Sequence, residues 1–315
     1  QHAHRLATVE TYFPFYLWLA YGWDDDFAIV YRPVGQAGQV ERRVAGLAYR
    51  EIQRRRSGGD AGRSGAPFAF RPEPANGAGV FTVSRFADRQ ALDDFLRDAF
   101  ARVDAQGLDR VIIDLRDNGG GSTDVSAVLL RYLAREPFRH FARYDLKVSR
   151  PIKRQLKRQL PAAVRWLPLQ YLFARGRAIW GAPDGSTITV DGPFIEPYDR
   201  PRRFEGEVIV LVGPATFSTA ADVAAVVQDF GLGTLVGEPT GGLGCSLGDA
   251  YAFRLPHSRL EVGVSHKYFV RPSGACGEGG VQPEHRVVAT AADVAAGRDP
   301  VMAYALALPR RAPRS

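Results

Sequence analysis

The chain has few of the residues that mark specialised structural classes. Only two cysteines, one methionine and four lysines occur among its 315 residues, so neither a disulfide-dense scaffold nor a cysteine-rich zinc domain is indicated. No apolar run is long enough to span a bilayer, and the first residues lack the pattern of a signal peptide. The pair Cys245 and Cys276 permits one disulfide, but two unpaired loop cysteines fit the sequence equally well.

Positive charge is carried almost entirely by arginine, and the formal net charge is +7. Such usage reflects genomic base composition as readily as an adaptation to anionic partners. The sequence has no recognition helix, zinc-finger spacing or aromatic-basic ribonucleoprotein motif, so we expect no nucleic-acid partner.

Composition divides the chain into four parts. Residues 1–66 hold an aromatic-rich segment and a Gly/Arg/Ser linker, and residues 301–315 form a basic tail. Residues 67–145 and 183–300 form the regular core, which residues 146–182 interrupt. Because the sequence begins at Gln1 and not at Met, we expect a processed product or a fragment of a longer protein.

The core repeats a strand–turn–helix unit. Near-continuous apolar runs at 110–115 and 207–212 are typical of strands covered on both faces, and each is followed by a turn and a helix. A helix behind Asp88 is predicted to present one apolar face, formed by Leu92, Phe95, Leu96 and Phe100. This order indicates an α/β fold with parallel pairing.

Residues 146–182 alternate basic and apolar residues, with prolines at 161 and 168. The pattern predicts a basic amphipathic helical insertion that is broken at the prolines. We favour a solvated cover packed on the core over contact with a membrane surface.

Two short segments carry the chemistry of interest. Ser218 stands where a buried strand turns into a helix, close to the positive end of the helix dipole and to unpaired N–H groups. A serine there is a nucleophile or a plain N-cap. The run DLRDNGGG at 114–121 is either a tight strand–helix turn or a cradle for a bound group, although its spacing fits no Walker A or dinucleotide motif.

Taken together, the segments resemble one family. The run VIIDLRDNGGGS resembles a signature of the C-terminal-processing, tail-specific and tricorn-like serine peptidases. The run ATFSTAADVAAVVQDFG resembles their nucleophile helix, which ends in an acidic residue, here Asp229, and LVGEPTGGLG resembles the strand and turn that follow. The resemblance extends from about Gly79 to Val281.

The resemblance implies a crotonase-like α/β spiral core with a helical insertion. It implies cleavage of a polypeptide substrate through an acyl-enzyme on Ser218, without a metal or organic cofactor. The oxyanion hole would be the N–H of Thr219 and one N–H from the turn at Gly119 and Gly120.

One part of the family pattern is missing. Leu243 stands where tail-specific members have a catalytic Lys. The tricorn-like branch also lacks this Lys and uses an upstream His as the base. His2 and His4 lack the family context, and His140, His257, His266 and His285 follow the glycine turn in the wrong order. We therefore expect the base on a missing upstream segment, Glu278 as a supporting acid, and a structural role for Asp229.

A second class of function fits the same pattern. A catalytically inactive binding module on this scaffold would hold an apolar ligand or a peptide. The family resemblance and the cysteine pair favour a periplasmic or secreted location. The sequence indicates no oligomeric state.

Overall fold

The computed structural model describes residues 26–33, 35–48, 50–51, 66–158 and 174–310, together with 20, 22, 160, 162 and 167. Most of the aromatic-rich start and of the Gly/Arg/Ser linker lies outside these residues. So do His2, His4, Pro161, Pro168 and residues 311–315.

A six-stranded sheet forms the centre of the molecule, in the order β12-β9-β8-β5-β4-β3. Strands β4, β5, β8, β9 and β12 pair in parallel, and β3 is an antiparallel edge strand. The strands are β1 (Asp26–Tyr31), β2 (Val40–Ala45), β3 (Phe68–Glu73), β4 (Ala78–Val83), β5 (Arg110–Asp114), β6 (Arg143–Lys147), β7 (Thr187–Asp191), β8 (Glu207–Val212), β9 (Thr234–Gly237), β10 (Ser246–Arg254), β11 (Glu261–Val270) and β12 (His285–Arg286).

Helices cover both faces of this sheet. They are α1 (Arg89–Ala105), α2 (Thr123–Leu133), α3 (Arg150–Arg158), α4 (Ala174–Gly181), α5 (Thr219–Asp229), α6 (Ala291–Ala295) and α7 (Pro300–Ala307), with 3₁₀ turns at Pro74–Asn76 and Arg200–Arg202. Helices α1, α2 and α5 pack on one face and α7 on the other. The apolar strands β5 and β8 are therefore buried on both sides, as their sequences predict.

Helix α1 shows how sequence determines a local element. The N–H of Ala91 donates to the Asp88 carboxylate at 3.0 Å, which confirms the predicted N-cap. Leu92, Leu96 and Phe100 are buried against the sheet, whereas Phe95 is only partly buried.

The predicted basic tail is wrong for residues 301–307, which belong to α7. Val301, Met302 and Ala305 pack on the sheet. The buried guanidinium of Arg110 donates to the carbonyls of Ala305, Leu306 and Leu308 at 3.5, 3.3 and 2.8 Å. These bonds satisfy carbonyls that the end of a helix leaves without partners, so this segment is part of the core.

A second sheet, antiparallel and in the order β10-β11-β6-β7, lies outside the central one. Between β6 and β7, α3 and α4 supply the described helical part of the predicted insertion. Ile152 and Ile179 are its buried anchors, and Ile179 packs with Tyr144, Leu146 and Val148. No helix in the described part of the chain is both long and apolar enough to cross a membrane.

A disulfide joins Cys245, just before β10, to Cys276 beyond β11, with the Cα atoms 5.3 Å apart. This pairing decides between the two alternatives left open by the sequence. The bond closes a segment with a sequence separation of 31 residues that contains the β10–β11 hairpin.

Replacing both Cys245 and Cys276 by serine should lower the free energy of unfolding by about 3–4 kcal/mol. The reason is that a closed loop of this length restricts the unfolded chain. Denaturant titration of the variant and of the dithiothreitol-reduced parent should give the same lowered midpoint. An unchanged midpoint in the variant would contradict the expectation.

Candidate active site

Two loops meet at the carboxyl edge of the central sheet, because β5 and β8 are parallel neighbours. The Thr216 hydroxyl donates to the Leu115 carbonyl at 2.8 Å, and the N–H of Phe217 donates to the Asn118 carbonyl at 3.0 Å. These bonds hold the loop before α5 against the glycine turn before α2.

Ser218 lies at this junction in a strained backbone conformation, with φ 51° and ψ −129°. Few residues other than glycine adopt such angles, which cost on the order of 1–3 kcal/mol. The Ser218 side chain makes no capping hydrogen bond to α5. The structure therefore does not support the plain N-cap interpretation.

Gly120 lies directly against Ser218. A Cβ atom on Gly120 would come within 2.8 Å of the Ser218 Cβ and of the Phe217 carbonyl oxygen, and its φ is +107°. Its own N–H donates to the Asn118 side-chain oxygen at 2.8 Å. Asn118 is fully buried and is itself held by the Val83 carbonyl at 2.9 Å.

The N–H groups of Gly119 and Thr219 have no acceptor among the described residues. Thr219 is the first residue of α5, so its N–H has no acceptor within the helix. Gly119 forms no backbone hydrogen bond outside regular elements in the part of the chain that the structure describes. Of the two turn glycines, Gly119 is thus the one with a donor to spare.

A cavity of about 950 Å³ opens in front of Ser218. The glycine turn, α5, the loop after β9 and the second sheet surround it. Its lining includes Gly121, Ser122, Thr123, Asp124, His140, Phe141, Tyr144, Ile195, Phe217, Ser218, Thr219, Asp222, Gly242, Leu243, Cys245, Leu247, Asp249, Lys267, Phe269 and Gly277.

Two buried titratable groups line this cavity, and the sequence analysis assigned neither to the site. Asp222, four residues after Ser218, is 8% exposed, and burial raises the pKa of its carboxyl to about 8. His140 is 7% exposed, and burial lowers the pKa of its imidazole to about 4, against smaller opposing effects of the Thr123 backbone and the Asp124 carboxylate. The contact with the Thr123 backbone is not a hydrogen bond of good geometry, and neither ring nitrogen of His140 makes one with the described residues.

The other predicted residues occupy different positions. Leu243 lines the cavity and forms a bridge with Gly280. Glu278 is exposed and does not line the cavity, although Gly277 does. His266 is on β11 with its Nε2 3.7 Å from the Asp249 carboxylate, outside the cavity lining.

Asp229 ends α5 and binds Arg271, with its two carboxylate oxygens 2.6 and 3.0 Å from the guanidinium. Its carboxylate also accepts the N–H of Ser273 at 2.9 Å. These contacts show the structural role that the sequence analysis expected. Nowhere in the described ranges does a group of three or more His, Cys, Asp or Glu side chains form a candidate metal site.

The fold and the junction define an α/β protein with a strained serine between a buried strand and a helix, the setting in which hydrolases hold a nucleophile. A family model described as peptidase family S41 matches residues 77–287, more than half of the chain. The chain therefore belongs to peptidase family S41, as its motifs predict. A search of curated proteins found no significant match.

Two solved structures share the fold at low sequence identity, with TM-scores above 0.5, and a third matches less well. CPAF complexed with lactacystin is 16% identical with a TM-score of 0.60, over 86% of this chain and 65% of that one. A candidate peptidase from Parabacteroides merdae ATCC 43184 is 20% identical with a TM-score of 0.55, over 83% and 70%. The photosystem II D1 C-terminal processing protease is 15% identical with a TM-score of 0.46, over 84% and 56%. The chain thus spans between 56% and 70% of the length of these structures.

Substituting Gly120 by alanine should destabilise the protein by about 2–4 kcal/mol, because the new methyl group meets Ser218 and the backbone must keep a positive φ. Gly119→Ala is the matched control. A Cβ at Gly119 meets open space, so a change within about 0.5 kcal/mol is expected. Thermal unfolding of the two variants measures the difference, and equal stability of both would count against this packing.

The two buried groups of the cavity, Asp222 and His140, should also make the free energy of unfolding depend on pH. Because its pKa is raised, Asp222 retains a proton in the folded protein that the unfolded chain releases, so its contribution falls as pH rises towards 8. His140 acts oppositely between about pH 4 and 6.5, where only the unfolded chain binds its proton. Between pH 6.5 and 8 the Asp222 effect remains, and it should lower the free energy of unfolding by up to about 1.4 kcal/mol per pH unit.

Denaturant titrations at pH 6.5, 7.25 and 8 test this expectation. Asp222→Asn should remove most of the slope, whereas Asp98→Asn, at an exposed position on α1, should retain it. Parallel pH profiles for the Asp222 variant and the parent would show that this carboxyl does not titrate as expected.

Proposed function

We propose that this chain is the core of a serine peptidase that cleaves peptide bonds through an acyl-enzyme on Ser218. The observation that carries the proposal is the junction itself. A strained serine with no capping bond lines a cavity, and the N–H groups of Gly119 and Thr219 have no acceptor among the described residues. The six-stranded sheet with its covering helices is consistent with a crotonase-like spiral core.

In the proposed reaction, the Ser218 oxygen attacks the carbonyl carbon of the scissile bond while a base takes its proton. The N–H groups of Gly119 and Thr219 donate to the oxyanion, and the amino end of α5 adds its positive potential. The protonated base then gives its proton to the leaving amine. Water hydrolyses the resulting ester by the reverse sequence and frees Ser218.

The base is proposed to be a histidine from a segment upstream of the described core. Leu243 occupies the position of the lysine that tail-specific members use, and it supplies no base. His140 lines the cavity, but a pKa of about 4 makes it a weak proton acceptor. Glu278 as a supporting acid stays a prediction, and its position beside the lining residue Gly277 is compatible with it.

The substrate is proposed to be a polypeptide. A disulfide between Cys245 and Cys276 is typical of an oxidising compartment and supports a periplasmic or secreted location. The alternative function is an inactive module that holds an apolar ligand or peptide. The apolar walls of the cavity are the one observation that favours it.

A fluorophosphonate probe distinguishes the two functions, because it modifies only an activated serine. With the protein expressed from its complete reading frame, we expect labelling of Ser218, no labelling of Ser218→Ala, and unchanged labelling of Ser258→Ala, whose side chain lies outside the cavity. Absence of labelling, together with no cleavage of an unfolded polypeptide, would contradict the peptidase function. Retained labelling of His140→Ala is expected if the base lies elsewhere.

A further inference from the structure

The cavity beside Ser218 contains a carboxyl group that has no partner. Asp222 is more than nine-tenths buried, lines the cavity, and makes no side-chain hydrogen bond or ion pair with the described residues. A buried carboxyl normally has such a partner, because burial without one is costly. Since Asp222 lines the cavity, its carboxyl can take a ligand group as its partner.

The charged residues of the cavity lining favour a positively charged ligand. The charged residues of the lining are Asp124, Asp222, Asp249 and Lys267. The lysine is paired with Asp249, so two carboxyl groups are left without a countercharge in the lining. No arginine is among the described residues of the lining, although the chain has 41 Lys and Arg residues and a net charge of +7. The described part of the lining is thus acidic in a basic chain.

His140 adds a second buried polar group to the same cavity. Neither ring nitrogen makes a hydrogen bond of good geometry with the described residues, and the lowered pKa keeps the ring neutral at pH 7. A neutral imidazole has one acceptor nitrogen and brings no positive charge. It is therefore compatible with a cation and can accept a hydrogen bond from it.

The remaining walls suit the stem of a long side chain. Phe141, Ile195, Phe217 and Phe269 line the cavity with apolar surface. Basic side chains bury their methylene groups on such surfaces while the charged end reaches a polar group.

We propose that this cavity binds a lysine or arginine side chain of the polypeptide substrate, with Asp222 as its countercharge and His140 as an additional acceptor. Asp222 lies about one helical turn beyond Ser218 on α5, which places the bound side chain on the residue whose carbonyl Ser218 attacks. This assignment to a cleavage position rests on the proposed function. Binding of the cation by the cavity does not.

Binding of a cation should expel the proton of Asp222. At pH 7 the empty site is mostly protonated, so apparent affinity should rise about tenfold towards pH 9. Asp124, Asp249, Lys267 and His140 are the other titratable groups among the described residues of the lining.

Calorimetry with Nα-acetyl-arginine amide tests the proposal, with Nα-acetyl-citrulline amide as an uncharged probe of the same shape. We expect at least tenfold tighter binding of the arginine probe, with release of up to one proton at pH 7, measured in two buffers of different ionisation enthalpy. Asp222→Asn should abolish both the preference and the proton release, while Asp98→Asn should retain them. Equal binding of both probes, or a preference that survives Asp222→Asn and is lost in Asp124→Asn, overturns the proposal.

Two further measurements separate possible failures. Thermal unfolding of Asp222→Asn should show no loss of stability, since the substitution removes an unpaired buried carboxyl, so lost binding cannot be attributed to misfolding. Ser218→Ala should bind the arginine probe as the parent does, even if the chain is no peptidase. Conversely, labelling of Ser218 without a preference for arginine would retain the peptidase function and reject the basic pocket.

Discussion

The parallel pairing of β5 with β8 is the constraint on which the site depends. Because the two strands end at the same level, the loops that follow them are forced together, and the bonds from Thr216 and Phe217 fix their separation. The glycine turn alone would be an ordinary connection, and the serine alone an ordinary helix start. Their contact places Gly120 directly against Ser218.

Close packing then holds Ser218 in a conformation that it would not adopt by itself. Gly120 and Gly242 both pack against Ser218. A Cβ atom on Gly242 would lie 2.8 Å from the Ser218 nitrogen. The Thr240 hydroxyl accepts the N–H of Val281 and donates to the Gly242 carbonyl, which secures that second loop. The backbone strain at Ser218 is thus maintained by three chain segments that are far apart in sequence.

Much of this arrangement could be predicted from the sequence, and the reasons are physical. Runs such as EVIVLV can only be strands buried on both faces, and parallel strands place their following turns at one edge. Ser218 and the turn glycines were therefore predicted together, and the structure places Gly120 in contact with Ser218.

Other features depend on contacts that no local pattern records. His140 and Asp222 acquire their shifted pKa values from burial in the folded protein, and their neighbours in the sequence do not reveal it. Helix α7 was assigned to a basic tail because its apolar face is short and the residues around it are rich in arginine. Arg110, which donates to its last carbonyl groups, lies almost 200 residues earlier in the sequence.

That remote attachment has a consequence for biosynthesis. One face of β5 and β8 stays open to solvent until residues 300–307 have emerged from the ribosome, since α7 supplies the side chains that cover it. Until then Ile112, Ile209 and Leu211 lack the side chains that cover them in the folded protein. Folding from the amino end therefore cannot complete this core before residue 307 has been made.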